Sequence, residues 1–240
     1  MKKISLLLVA VFGLWMSVAG AETLQEAAVK KMIEPQLGDG VKVDSVTKTP
    51  YGGLFEVRVG NDIFYTDAGA KYVFVGRVMD AKTSRDYTRE RIDDINKVKF
   101  SDLPLDLAMK KVKGNGKRVI AVFEDPNCGY CKRLHKTTLQ EVDNVTIYTF
   151  LYNILAEDSA VKSRNVWCSA DQAKAWTELM VDGKAAAAAS SACQAPNDKV
   201  LALGRKLNVT GTPTIIFADG TRAPGWIDAK AMEAKFTSLK

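Results

Sequence analysis

The chain has 240 residues, 47% of them apolar, with 34 Lys and Arg against 28 Asp and Glu for a formal charge of +6. That length admits one large domain or two modest ones, and the apolar share is that of an ordinary globular protein. The charges are mixed along the chain with no basic block, which leaves nucleic-acid binding without support. Four cysteines are too few for a disulfide-stapled miniprotein of this size.

Lys2 and Lys3 precede a mostly apolar run, Ile4 to Val18, and Ala19-Gly20-Ala21 is a small-x-small cleavage site. This is the pattern of a secretory signal peptide over residues 1–21. A membrane anchor is the competing reading, but the run is shorter than the roughly 20 apolar residues a spanning helix needs. Cleavage predicts a soluble, exported chain that begins at Glu22 with a formal charge of +4.

Glu22 to Met32 carries Leu24, Ala27, Ala28 and Met32 at helical spacing, and Pro35 with Gly38-Asp39-Gly40 ends it. Short strands are predicted at Val41–Asp44, Leu54–Val59, Ile63–Thr66 and Tyr72–Val75, with glycine-rich turns between them. A meander of about 60 residues is near the size at which a lone domain is marginal, so a second copy is an expected source of further burial. Ala81 to Asn96 is polar, and Thr88 to Lys97 reads as an exposed helical linker.

Beyond Phe100 the pattern becomes α/β. Leu103 to Val112 reads as a helix with Pro104 in its first turn. Val119-Ile120-Ala121-Val122-Phe123 is a continuous apolar run, as in a strand covered on both faces. Leu134 and Leu139 lie on a following helix, and Val145–Leu151 is a second strand. Asp158 to Met180 is mainly helical, as is Val200 to Leu207. Thr214–Phe217 and Ala223–Trp226 flank Asp219-Gly220 as a hairpin, and Ala229–Leu239 is a closing helix.

The cysteines are placed unevenly: Cys128 and Cys131 are three apart, Cys168 and Cys193 far apart. This asymmetry suggests one working pair and one structural pair. An apolar strand running into Cys128-Gly129-Tyr130-Cys131 at a helix start fits redox chemistry. Unpaired N–H groups and the helix dipole favour a thiolate there. Cys128 is then the attacking sulfur and Cys131, one turn further in, the resolving one. Gly129 and Tyr130 between them tune the reduction potential. Zinc is a poor alternative, because His135 gives only a third ligand and no fourth partner is evident. A purely structural bridge would close too short a loop to stabilise much. His135 itself reads as a partly exposed helical residue with no catalytic duty. Gly211-Thr212-Pro213 stands immediately before a predicted strand, a position that proline tolerates.

Taken together, Phe123 to His135, Trp167-Cys168, Gly211-Thr212-Pro213-Thr214 and Asn61-Asp62-Ile63-Phe64-Tyr65-Thr66-Asp67 resemble the DsbC/DsbG family of bacterial periplasmic disulfide isomerases, within the thioredoxin superfamily. The resemblance implies an α+β, cystatin-like N-terminal dimerisation domain over residues 22–80 and a linker helix over 81–97. An α/β thioredoxin-like domain with a helical insertion would fill residues 98–240. It further implies a V-shaped homodimer, a cis Pro213 beside the Cys128 sulfur, and a Thr212 backbone that pairs with the substrate. Cys168 and Cys193 match the family's second pair and read as a structural disulfide, with Cys168 buried. No cofactor or metal is implied.

The function implied is isomerisation: Cys128 attacks a wrong disulfide in a misfolded secreted protein, and a DsbD-like membrane reductase keeps the enzyme reduced. A DsbA-like oxidase or a DsbG-like protein is a weaker reading, since Gly129 stands where both carry proline. A holdase chaperone with a dimer cleft is a third. The sequence also departs from thioredoxin, which carries a buried Asp six residues before the first cysteine, where Val122 stands here. Glu124 and Asp125 read either as substitutes for that acid or as solvated loop acids.

Overall fold

The computed structural model describes residues 22–239, which leaves the expected signal peptide outside the described residues. The chain divides into two units at Thr88/Arg89. Among the described residues no helix is long and apolar enough to cross a membrane.

The first unit opens with helix α1 (Leu24–Ile33). Thr23 and Glu26 cap it reciprocally: the Glu26 N–H donates to Thr23 Oγ1 at 3.2 Å, and the Thr23 N–H donates to the Glu26 carboxylate at 2.8 Å. Four antiparallel strands follow in the order β1 (Ser45–Lys48), β2 (Phe55–Val59), β3 (Asp62–Thr66) and β4 (Val73–Phe74). Val29 and Ile33 of α1 pack with Val43, Val46, Phe55, Val57 and Ala70 to form the core. The first strand starts four residues later than the alternation of Val41–Asp44 suggests. The Val43 N–H is taken by the Glu34 carboxylate at 2.8 Å, so Val43 enters the core from a loop rather than from the ladder. β4 is an edge strand, and Tyr72, Val73, Phe74 and Val75 are all exposed, Val75 to 87%.

Helix α2 (Tyr87–Ile95) is polar along most of its length, yet Thr88 is buried. The Thr88 hydroxyl pairs with the Tyr65 hydroxyl at 2.6 Å and accepts the Val78 N–H at 2.8 Å.

The second unit is built on a five-stranded sheet in the order β5-β7-β6-β8-β9. β5 (Met109–Lys113) takes the last four residues of the helix expected over Leu103–Val112. Leu103 is extended before Pro104, as a residue before proline prefers, and only short 3₁₀ turns form at Phe100–Asp102 and Leu105–Leu107. From Met109 onward accessibility alternates residue by residue, the period of a strand, and the segment pairs antiparallel with β7 (Val145–Leu151).

β6 (Arg118–Glu124) runs parallel to β7 and antiparallel to β8 (Thr214–Phe217), which in turn pairs with β9 (Arg222–Pro224). Ile120, Ala121, Val122 and Phe123 have no accessible surface. Alternate residues enter two cores: Ile120 and Val122 meet Leu134, Met232 and Phe236, while Ala121 and Phe123 meet Phe150, Tyr152 and Val200. The helix read through Leu134 and Leu139 breaks at Thr137 into α3 (Gly129–Lys136) and α4 (Thr138–Glu141). α5 (Ser159–Trp167), α6 (Gln172–Thr177) and a π-turn at Glu178–Asp182 form the helical insertion. α7 (Asn197–Lys206) and α8 (Ala229–Ser238) complete the layers.

Gly204 lies inside α7 because Tyr152 occupies the space a side chain would need: a Cβ there would sit 2.2 Å from the Tyr152 ring. Gly→Ala in a helix ordinarily stabilises, by about 1 kcal/mol. Here the sign reverses. Gly204→Ala is expected to cost about 1–3 kcal/mol through overpacking against a buried ring, read as a lower urea midpoint.

Candidate active site

The buried strand β6 delivers the chain to Glu124, and Asp125-Pro126-Asn127 turns it into α3. Asp125 holds that turn. Its carboxylate has no exposed surface and accepts four hydrogen bonds, from the Asn127 N–H (2.8 Å), the Ser159 hydroxyl (2.9 Å) and the N–H groups of Ile154 (2.8 Å) and Leu155 (3.0 Å). One side chain therefore fixes the loop before Cys128, the loop after β7 and the start of α5.

Cys128 occupies the N-cap of α3, and its Sγ accepts the Cys131 N–H at 3.2 Å. The sulfur also lies 3.2 Å from the Thr212 carbonyl oxygen, and the Thr212–Pro213 peptide is cis. Both cysteines are free thiols in this state. Their environments are opposite. The Cys128 thiol is brought down to about 6, chiefly by hydrogen bonding from the Cys131 side chain, with the N–H groups of Cys131 and Tyr130 adding to it against the effect of burial. The Cys131 thiol is pushed far up, first by burial, then by its hydrogen bond with Cys128 and the charge of Glu124. Cys128 is only 4% exposed, so the attacking sulfur sits just beneath the surface, and Cys131 has no exposed surface. Between them, Gly129 leaves open space where a Cβ would be, and Tyr130 is 62% exposed.

Two sequence readings are corrected here. His135 is not partly exposed, and Glu124 and Asp125 are not solvated loop acids: their exposures are 4%, 0% and 0%. His135 Nε2 lies 3.1 and 3.0 Å from the two Glu124 carboxylate oxygens, and the Trp176 indole N–H donates to Glu124 at 3.2 Å. The available signal was the four-residue spacing from Cys131 to His135, which places both on one helix face. Trp176 carried no local signal, because it comes from the insertion.

Cys168 and Cys193 are bonded to each other, S–S 2.01 Å, across a sequence separation of 25. Cys168 is half-buried rather than buried, because it ends α5 instead of lying within it. Among the described residues no cluster of three or more His, Cys, Asp or Glu side chains is arranged to hold a metal ion.

Comparison with known proteins agrees with this architecture. Residues 20–89 match the family model of the disulfide bond isomerase protein N-terminal domain, and residues 105–240 match that of the thioredoxin-like domain. The chain is 50% identical over 217 residues to the probable thiol:disulfide interchange protein DsbC of Bordetella pertussis, covering 90% of this chain and 76% of that protein. It is 28% identical over 230 residues to the thiol:disulfide interchange protein DsbC of Escherichia coli, covering 92% of each. Among solved structures, the disulfide interchange protein from Neisseria gonorrhoeae superposes with a TM-score of 0.52 at 36% identity, over 57% of this chain and 97% of that one.

The two thiols differ enough to give a clear pH dependence. Alkylation of the reduced protein should rise through a midpoint near pH 6 with Cys128 as the modified residue, and Cys131 should stay unlabelled up to pH 9. The folded value of Cys128 lies below its unfolded value, so its thiolate stabilises the reduced protein. That contribution is present above the unfolded value and is lost as pH falls through about 6. The denaturant midpoint of reduced wild type should therefore fall relative to Cys128→Ser over that window. A labelling midpoint near that of a free thiol would contradict the assignment.

Proposed function

Since the chain belongs to the DsbC family of thiol:disulfide interchange proteins, we propose that it is a disulfide isomerase and reductase whose attacking group is the Cys128 thiolate. The observation that carries this reading is the opposed environment of the two sulfurs: one held as thiolate at a helix start, the other held as thiol in the core. With a value near 6, about nine tenths of Cys128 is ionised at neutral pH.

The Cys128 thiolate attacks one sulfur of a non-native disulfide. That S–S bond breaks, the second client sulfur leaves as a thiolate, and a mixed disulfide joins enzyme and client. A client thiolate then attacks the mixed disulfide, forms a new client bond and expels Cys128 as the thiolate. Cys131 resolves a complex that stalls. Gly129 and Tyr130 tune the redox balance. Thr212 and Pro213 form the wall against which an extended client segment pairs. Tyr130 between the two cysteines, and Ile154 and Leu155 on the loop whose N–H groups Asp125 holds, are all well exposed, apolar surface that suits unfolded chains regardless of their thiols and favours a holdase activity as a companion function. The Cys168–Cys193 bridge is structural.

The domain plan is part of the same proposal: signal peptide 1–21, dimerisation domain 22–80, linker helix 81–97 and thioredoxin-like domain 98–240. The mature protein works in the periplasm on misfolded secreted proteins, and a DsbD-like membrane reductase returns it to the dithiol state. Dimerisation through the first unit is supported by its small core and by β4, an edge strand among the described residues, where Val73 and Phe74 and the flanking Tyr72 and Val75 are exposed.

Refolding of a scrambled ribonuclease, with sedimentation beside it, tests the reading. Wild type should sediment as a dimer and reshuffle the substrate. Cys128→Ser should lose reshuffling while still suppressing aggregation of a reduced client. A chain with Phe74→Lys and Val75→Lys should sediment as a monomer that reduces small disulfides normally but reshuffles about tenfold more slowly, for want of a second arm to hold the client. A monomeric wild type, or full reshuffling by the monomeric variant, defeats the dimer proposal. Reshuffling by Cys128→Ser defeats the mechanism.

A further inference from the structure

The redox helix carries a charge pattern that the exchange chemistry leaves unused. Between Gly129 and Lys136, α3 has three surface cations, Lys132, Arg133 and Lys136, and no acid. Lys132 is half-buried, and the other two are exposed. Among the described residues none of the three forms an ion pair, whereas Lys162 meets Asp158, Lys184 meets Glu178 and Lys235 meets Asp219, each at 2.8 Å.

Helix stability does not account for the pattern. Arg133 and Lys136 stand in the last turn, where the helix dipole favours cations, but Lys132 comes before it. Lys132 and Lys136 are four residues apart, a spacing at which like charges repel. Arg133 is held in place by Trp226: its guanidinium carbon lies 3.7 Å from the ring centroid, and the indole N–H donates to Thr137 Oγ1 at 3.3 Å.

The cations rise from the sulfur in a row. The Lys132 N–H donates to the Cys128 carbonyl at 3.0 Å, so Lys132 lies one turn beyond Cys128, and Lys136 one turn beyond that. These are rises of about 6 and 12 Å along the helix axis. Helical side chains lean back toward the N-terminus, which for Lys132 is toward Cys128. The acids around the cap do not oppose them. Glu124 and Asp125 are buried, and Asp158, which accepts from the Asn127 amide at 2.8 Å, is matched by Lys162. The Cys128 thiol is brought down chiefly by hydrogen bonds at the helix start, so that task does not call for the cations.

We propose that Lys132 and Lys136, with Arg133 beside them, make the enzyme select client disulfides flanked by acidic residues. The proposal rests on the isomerase reading above and names its preferred substrate. A thiolate repels an acidic segment, and the cations offset that repulsion as the client disulfide comes in. An extended client advances about 3.3 Å per residue, so side chains two to four positions from its cysteine fall within the span of the two lysines. The exchange itself is unchanged: the Cys128–client bond forms, the client S–S bond breaks, and its electron pair leaves on the second client sulfur. Selection lies in the encounter, and salt weakens it.

The test uses the reduced full chain and three synthetic peptides of equal length. Each carries one cysteine joined to thionitrobenzoate, with Glu, Gln or Lys at the flanking positions. Attack by Cys128 expels the coloured thionitrobenzoate, and its second-order rate constant is read at low salt. The Glu peptide should react about tenfold faster than the Lys peptide, the scale of electrostatic steering. The ratio should fall toward unity in about 1 M salt, where the screening length is about 3 Å. Lys132→Glu should lower the low-salt ratio about threefold or more, and so should Lys132→Gln combined with Lys136→Gln. Lys117→Glu makes the same change in net charge just before β6, at the end of that strand away from Cys128, and should keep the wild-type ratio. Both peptides meet the same thiolate, so a change in Cys128 ionisation or in the folded fraction cancels from the ratio. Equal rates for the Glu and Lys peptides in wild type at low salt overturn the proposal, as does an equal loss of preference in Lys117→Glu and Lys132→Glu. Failure of wild type to react with the Gln peptide would instead overturn the isomerase reading.

Discussion

A helix must begin with N–H groups that no preceding carbonyl can satisfy, and α3 gives one of them the sulfur of Cys128. An oxygen at an N-cap is common; a sulfur there gains the same partners and yields more, because the hydrogen bonds and the dipole favour its anion. Much else in the second unit serves to keep that cap in place. β6 is sealed on both faces, so the position at which the chain emerges is fixed by two cores at once. Asp125 then spends its whole hydrogen-bonding capacity on three neighbouring segments, and the Thr212 carbonyl closes the site from the other side.

The same geometry separates two chemically identical side chains. One turn of helix moves a thiol from the cap, where N–H groups point at it, to the core, where burial, the hydrogen bond with Cys128 and a nearby carboxylate act on it. On the proposed mechanism, that separation gives direction to the exchange: one sulfur opens a foreign disulfide, and the other waits. Glu124 belongs to this asymmetry, since a buried negative charge makes the inner thiol harder to ionise. His135 and Trp176 in turn make that charge tolerable in a core.

The first unit follows a different logic. Its core cluster holds seven buried apolar side chains, while Tyr72, Val73, Phe74 and Val75 stay exposed on and beside the edge strand β4. An unprotected edge of this kind is a liability in a monomer. On the proposed dimeric reading, this edge is where a second copy would pair.

The sequence alone determined the features that depend on neighbours along the chain. The sealed run from Val119 to Phe123, the cysteine pair at a helix start and the proline before a strand were enough to name the chemistry and the family. Local pattern failed wherever the deciding partner came from elsewhere. Met109–Lys113 is a strand because β7 offers it a free edge, although its composition suits a helix. Val43 leaves the ladder because Glu34 takes its N–H. Glu124, Asp125 and His135 are buried because Trp176, Ser159 and the Ile154–Leu155 backbone reach them from segments 29 to 52 residues away. A charged side chain is written for water unless it is given partners in the core, and only the tertiary fold brings those partners together.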